Sequence, residues 1–354
     1  MGPTLNPEKI RILQSRLQDS REVCIVTHFH PDGDAIGSSL ALQHFINCRL
    51  SPKASTVLSS PLPENLCFLP GCPLPDAESD PAVCLRAIAS ADLIVCLDCS
   101  GLSRTESLRQ EINRSNAFKI LIDHHLSPSE EEFDLVFSST VVSSTCELLY
   151  RILLALPQSG GRPSGLPSEC VTALMTGMTT DTNNFANSVF PGTLEMASGL
   201  LEAGVDREII LDHIYRSNRE RRLRLLGYLL SEGMRITPSG VAYMIIDSAL
   251  AARFGIRDGE TDGFVNEPLG IGEVKMSLLL KEDKGWFRVS IRSKRGISAN
   301  GLAATFFHGG GHEQAAGGRL YWPQDIPAKE NAAEYIEEVT ARFMQNDSAP
   351  TEQE

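Results

Sequence analysis

Apolar residues fall along the chain in two alternating rhythms. Short uninterrupted runs at 23–27, 53–58, 93–97 and 118–122 have the length and the Val, Ile and Leu content of strands buried on both faces. Between them, apolar positions recur at helical spacing, as at Ile10, Leu13 and Leu17 and again from Ala35 through Phe45 and Ile46. Shorter helical patterns occupy 83–90 and 107–114. Strands alternating with helices in this way predict an α/β fold whose N-terminal part is a parallel sheet with helices on both faces. Ser143 or Ser144, with Glu147 following, resembles a capping box that opens a helix running to residue 156. Further helical stretches are expected at 168–178, 192–201 and 206–215.

The rhythm changes after residue 216. An arginine-rich helical stretch, 217–233, reads as a connector, with Arg219, Arg221, Arg222 and Arg224 as a solvated face. Strands follow at 241–247, 273–280 and 286–292, then a helix at 300–307 and a terminal amphipathic helix at 327–344 with Pro327 in its first turn. These define a smaller C-terminal α+β domain over 234–345, with 346–354 as a disordered tail.

Composition narrows the partners. A chain of 354 residues is long for one core, which agrees with a division near 216. The net charge of −13 argues against a broad nucleic-acid surface and against long duplex as a partner, so any positive field must be local. All nine cysteines lie between Cys24 and Cys170 without the paired spacing of a disulfide framework, and they read as reduced thiols. Cys96 and Cys99 have redox-type spacing, but strand alternation predicts that they point to opposite faces and merely fill space. The N-terminus shows no apolar signal region, and no stretch approaches the roughly 20 apolar residues of a membrane span. A cytoplasmic protein with no membrane partner is expected.

Candidate chemistry gathers where the apolar runs stop. The first ends in Thr27-His28-Phe29-His30-Pro31-Asp32-Gly33-Asp34, the third in Asp98, and the fourth in Asp123-His124-His125. The helix at 168–178 leads into Thr180-Asp181-Thr182. In open α/β sheets ligands bind beyond the carboxyl ends of the strands. Any one of these residues is as readily a polar strand end or a helix cap, but one sheet edge would have to collect them all by accident. If His28, Asp32, Asp34, Asp98, His124 and Asp181 converge, four neighbouring carboxylates need compensating positive charge. Two divalent cations would supply it. Oxygen and nitrogen donors without thiolate suit manganese or magnesium, and a metal pair about 3.5–4 Å apart serves hydrolysis of phosphate esters.

His28-Phe29-His30-Pro31-Asp32-Gly33-Asp34-Ala35-Ile36-Gly37-Ser38, Asp98, Asp123-His124-His125 and Thr180-Asp181-Thr182 together resemble the four motifs of the DHH phosphoesterase superfamily. Within it the chain is most similar to the short, RecJ-like enzymes with a DHH and a DHH-associated domain, the NrnA-type oligoribonucleases and pAp phosphatases. The resemblance implies that His28 and Asp32 hold one cation and Asp34 and His124 the other. Asp98 would bridge the two, and Asp181 would complete the first site or share both. Manganese is the expected ion, with magnesium as the alternative. His125 would stand behind the ligands or near substrate, Asp123 would support the histidines, and His30 would be a bystander. Family members commonly have Gly after Thr-Asp-Thr; here Asn183 stands there, and it tolerates the left-handed backbone that the turn requires.

In the second half, Arg292-Ser293, Asn300, Gly309-Gly310-Gly311-His312 and Ala315-Ala316-Gly317-Gly318 resemble the family's substrate-binding module. Consecutive glycines let backbone N–H groups approach an anion. Arg292, Ser293 and His312 would grip a terminal phosphate or nucleotide, with Asn300 and the three glycines around it. The implied reaction is hydrolysis of short oligoribonucleotides, two to a few nucleotides long, to mononucleotides, with pAp as a further substrate. Cyclic-di-AMP or pApA hydrolysis is the alternative within the family. A nucleotide sensor without catalysis is disfavoured by the complete ligand set, and a polyphosphatase would need the same metals without base recognition. A homodimer is compatible with this scheme.

Overall fold

The computed structural model describes residues 4–217, 219–257 and 259–347, in two compact units, Met1–Ser217 and Asn218–Glu354. The first unit runs α1 (Pro7–Asp19), β1 (Glu22–Val26), α2 (Gly33–Arg49), β2 (Lys53–Val57), α3 (Pro81–Ser90), β3 (Leu93–Leu97), α4 (Arg109–Arg114), β4 (Phe118–Asp123), β5 (Leu135–Ser138), α5 (Thr145–Ala155), α6 (Ser168–Asp181), α7 (Pro191–Glu202) and α8 (Arg207–Tyr215). Its five strands are all parallel, in the order β2-β1-β3-β4-β5. Alternate strand residues feed two cores. Val23, Ile25, Val95 and Ile120 pack with α1, α2, α5 and α6. Cys24, Val26, Ile94 and Leu121 pack with α3 and α4. The expected α/β architecture is therefore the observed one. The four apolar runs are strands β1 to β4, and β5 joins them without a comparable sequence signal.

The order reverses between β1 and β3, because the chain leaves β1 toward β2 on one side and returns to β3 on the other. That reversal opens a crevice at the carboxyl ends of these two strands. Every residue of α2 from Gly33 to Leu42 is buried, which explains why its apolar pattern is not one-sided. It crosses α6 closely because small residues meet there. A Cβ on Gly37 would lie 2.6 Å from Ala173 O, and one on Gly177 would overlap Cys146 Sγ and lie 3.1 Å from Asp34 Cα.

The second unit comprises α9 (Glu220–Tyr228), β6 (Arg235–Ile236), β7 (Val241–Ile246), α10 (Ser248–Phe254), β8 (Met276–Asp283), β9 (Trp286–Ser293), α11 (Ala299–Phe306), β10 (Gly310–Gly311), β11 (Ala315–Tyr321) and α12 (Ala332–Asp347). They form a mixed sheet, β10-β11-β9-β8-β7-β6, in which only β7 and β8 are parallel. One face packs Phe287, Val289, Ile291 and Leu320 against α11 and α12. Part of the other face packs Met244, Ile246 and Leu279 against Leu225 and Leu229 at and just beyond the end of α9. The arginines expected as one solvated face divide in role. Arg224 is exposed beside Glu220, whereas Arg221 makes paired bonds to Glu260 and Arg222 lies 4.6 Å over the Phe264 ring.

The terminal helix begins at Ala332, not at 327. Lys329–Asn331 forms a separate 3-10 turn, so Pro327 precedes the helix. The helix continues to Asp347, two residues into the expected tail, and 348–354 lie outside the described residues. Among the described residues no helix is long and apolar enough to cross a membrane.

Candidate metal centre

Each expected ligand occupies a carboxyl-end position of the first unit's sheet or the terminus of a helix beside it. His28 follows β1. Its Nδ1 lies 2.9 Å from Phe29 O and donates to it, which turns Nε2 toward Asp32 Oδ1 at 4.0 Å and Asp98 Oδ2 at 3.7 Å. Asp32 caps α2, accepting at 3.0 Å from the N–H groups of both Asp34 and Ala35. Asp98 follows β3 in a left-handed conformation, φ 59°, with its N–H bonded to Ile122 O on the neighbouring strand. His124 follows β4, and its Nε2 faces three carboxylates: Asp98 Oδ1 at 3.5 Å, Asp181 Oδ2 at 3.5 Å and Asp34 Oδ2 at 3.7 Å. Asp181 is the last residue of α6, and Asn183 beyond it does adopt the left-handed conformation, φ 45°.

Two of the groups of donors close enough to share an ion are His28 with Asp32 and Asp98, and His124 with Asp34 and Asp98. Asp98 belongs to both, directing Oδ2 to one histidine and Oδ1 to the other. Atoms bound to one cation at about 2.0–2.2 Å stand roughly 3–3.5 Å apart. The separations here are close to that, and they are long for direct hydrogen bonds. The donors are oxygen and nitrogen. Cys146 is buried nearby, but its Sγ is turned to Asp34 O at 3.7 Å. The arrangement therefore fits divalent cations.

Electrostatics agree. Burial, then the charges of Asp98 and Asp32, push the Asp34 carboxyl well above the usual carboxylate range. Burial would raise Asp98 too, but the surrounding imidazoles of His28, His125 and His124 hold it well below that range. Burial lowers His124. In His125 burial is outweighed by the Asp123 bond and the Asp98 charge, which raise it. Asp34 also receives the N–H groups of Thr145 at 2.6 Å and Cys146 at 2.9 Å, the positive end of α5. Asp181 stands at the negative end of α6.

Behind the ligands, Asp123 is fully buried and accepts from His125 Nδ1 at 2.9 Å and His125 N at 3.0 Å. His125 Nε2 is 3.3 Å from Arg104 Nη1. His30 is exposed, with its ring against Phe29. Thr145 and Arg104 are site residues that sequence reading does not pick out. Thr145 Oγ1 donates to Asp98 Oδ1 at 2.9 Å. The signal for Thr145 was the capping box itself, since Ser144 caps α5 and Glu147 turns back to Ser143. Cys96 and Cys99 do not point apart as strand alternation predicts. The left-handed Asp98 between them breaks the alternation, so both enter one buried cluster.

In the second unit the substrate-binding candidates surround β9 to β11. Arg292 Nη1 donates to Ile291 O at 2.9 Å, and buried Ser293 donates to Ile297 O at 2.6 Å. Asn300 Oδ1 accepts from Gly311 N at 2.9 Å, which ties α11 to the glycine turn. A Cβ on Gly309 would overlap Gly317 O, so this glycine is required by the fold whatever it binds. Gly310 is exposed, and His312 N bonds Ala315 O at 2.8 Å.

A sheet reversal lined by acids and imidazoles in two groups with a shared carboxylate defines a phosphoester hydrolase of the metal-assisted class. Sequence profiles agree: "DHH family, N-terminal domain" matches residues 22–178, and "DHHA1 domain" matches 240–343. The chain belongs to the DHH family. It is 30% identical over 343 residues to the bifunctional oligoribonuclease and PAP phosphatase NrnA of Thermus thermophilus, covering 95% of each chain. It is 27% identical over 299 residues to the protein of the same description from Bacillus subtilis, covering 83% of this chain and 88% of that one. Among solved structures, an exopolyphosphatase-related protein from Bacteroides fragilis superposes with a TM-score of 0.89 at 31% identity, covering 99% of this chain and 100% of that one.

Proposed function

We propose that the protein is a manganese-dependent phosphodiesterase that hydrolyses short oligoribonucleotides to mononucleotides and also removes the 3′-phosphate of pAp. The observation that carries this reading is Asp98, one carboxylate divided between two donor groups, each with its own histidine. The descriptions of the Thermus and Bacillus relatives support the substrate class. Nine free thiols support a reducing compartment such as the cytoplasm.

His28 and Asp32 would hold one cation, Asp34 and His124 the other, with Asp98 common to both and Asp181 beside His124. The cations would supply a nucleophile at neutral pH and neutralise charge on the scissile phosphate. The chain's own residues prepare the place. Two N–H groups of α5 fix Asp34, Thr145 fixes Asp98, and the Phe29 carbonyl orients His28. Asp123 sets the ring of His125 so that its far nitrogen lies beside Arg104, where it can meet a phosphate oxygen. Arg292, Ser293, Asn300, His312 and the glycines 309 to 311 are proposed to receive the other end of a short substrate.

Turnover with manganese should be measured on pApA, a longer RNA, cyclic-di-AMP and pAp. Fastest release of mononucleotide from pApA, with pAp also cleaved, is expected. Preference for cyclic-di-AMP would move the reading to the cyclic-dinucleotide enzymes of the family. Asp98→Asn should lower turnover by about a hundredfold or more while leaving the fold intact; unchanged turnover would refute the metal assignment.

A further inference from the structure

The first turn of α5 is held by more than its own cap. Glu147 lies in that turn and is fully buried. An ordinary capping box returns such a carboxylate to the N–H of the capping residue, here Ser144. Glu147 Oε2 instead reaches one residue further and accepts from Ser143 N at 2.9 Å and Ser143 Oγ at 2.8 Å. The same oxygen accepts from Thr193 Oγ1 of α7 at 2.7 Å. The other oxygen accepts from Arg151, one turn along α5, through Nη2 at 3.0 Å and Nε at 3.3 Å. The close approach is built into α7, since a Cβ on Gly192 would overlap the Arg151 guanidinium and lie 2.8 Å from Glu147 Oε1.

What this carboxylate fixes is the part of α5 that faces Asp34 and Asp98. Thr145 N and Cys146 N each donate to one oxygen of Asp34, and Thr145 Oγ1 donates to Asp98. Thr193 also accepts from Phe190 N at 3.1 Å, at the end of the segment that leaves Asp181, so the network joins the start of α5 to the start of α7. Packing alone does not ask for this arrangement, because apolar residues in place of a buried ion pair commonly fold as well. Bonds to a charged acceptor are shorter and about twice as strong as neutral ones, so one carboxylate orders three donors at once. We propose that Glu147 is a positioning residue of the metal centre: with Arg151 balancing its charge, it locks Ser143 and Thr193 and so sets the N–H and hydroxyl groups that aim Asp34 and Asp98. The inference rests on the metal reading above and assigns a residue that touches neither ion nor substrate.

The test uses the full chain. Manganese affinity is read by titration calorimetry, kcat and KM on a dinucleotide by initial rates, stability by urea unfolding in chelator, and metal-free amide exchange of the 143–149 peptide by mass spectrometry. Glu147→Gln should weaken manganese binding about 10- to 100-fold and lower kcat in step, with KM changed by less than about threefold. It should also speed exchange at 143–149 by about tenfold with no metal present, a change that reports the turn itself. Leu153→Ala, a core change in the same helix, is the control: it should cost at least as much stability and leave manganese affinity within about twofold. Where Glu147→Gln does not fold, Thr193→Val takes its place; it should weaken manganese binding several-fold, and Thr193→Ser, which keeps the donor, should restore it. Manganese affinity and kcat unchanged in Glu147→Gln, or in Thr193→Val where that variant stands in, overturn the inference. An equal loss of affinity in Leu153→Ala overturns it as well, since the effect would then be one of stability. A wild type that binds no manganese, or binds it equally well after Asp98→Asn, sinks the metal reading and this inference together, and is told apart by needing no Glu147 variant.

Discussion

Asp98 is held by the charges of the neighbouring imidazoles and by the hydroxyl of Thr145, the neutral part of that support. Thr145→Val keeps shape and removes the donor. It is expected to weaken manganese binding about 10- to 100-fold, as loss of an outer partner does, and to lower turnover in step; titration calorimetry and initial rates check it. Thr145 was illegible because a hydroxyl in the first turn of a helix reads as a cap, and only the fold brings that turn to Asp98. The six proposed ligands could be singled out because polar residues end apolar runs there and their motifs resemble those of the DHH family, neither of which needs tertiary knowledge. A different residue-scale prediction concerns Glu260. Its partial burial would raise its carboxyl, but the paired bonds from Arg221 hold it below the usual range. A depressed acid stabilises the fold above its unfolded pKa and ceases to do so as pH falls through the folded one. Glu260→Gln should therefore cost about 1 kcal/mol at neutral pH, roughly 2–4 °C of melting temperature, and the gap from wild type should close below about pH 4.

Helix α6 sets the position of Asp181, and its approach to α2 depends on the absence of a side chain at Gly177. Alanine there gains about 1 kcal/mol of helix propensity and meets overpacking of about 1–3 kcal/mol against Cys146 Sγ and Asp34. Overpacking should win. Gly177→Ala is expected to destabilise by about 1–2 kcal/mol and to impair turnover, while the same change in a Cys146→Ala background should be less damaging by about 1 kcal/mol, measured as a double-mutant cycle by urea unfolding. Additive losses would show that Asp34, not Cys146, limits the approach. Legibility varied between elements for a related reason. Strands β1, β3 and β4 are continuous apolar runs and are visible alone. β5 offers only Leu135, Val136 and Phe137 after a run of glutamates, and β11 is built on Ala and Gly, so both exist because a neighbouring strand presents an edge. Helix α12 starts late because the residues after Pro327 form their own short turn, a choice that composition does not reveal.

At the scale of the molecule, the proposed metal ligands all belong to the first unit, from His28 to Asp181. The first unit thus holds a collection of carboxylates whose mutual repulsion opposes folding, most of all at buried Asp34. A cation that binds the native cluster and not the unfolded chain adds stability in proportion to the logarithm of its concentration, about 2.7 kcal/mol at a hundred times its dissociation constant. Among the described residues the second unit's core clusters are apolar. Amide hydrogen exchange with and without manganese should therefore show slower exchange in α2, α6 and the carboxyl ends of β1, β3 and β4, with chelator reversing it. Strands β8 and β9 should exchange at the same rate in both conditions. Uniform protection of both units by manganese alone would mean that the ion acts on the whole chain and that the cluster around Asp98 is not where it binds.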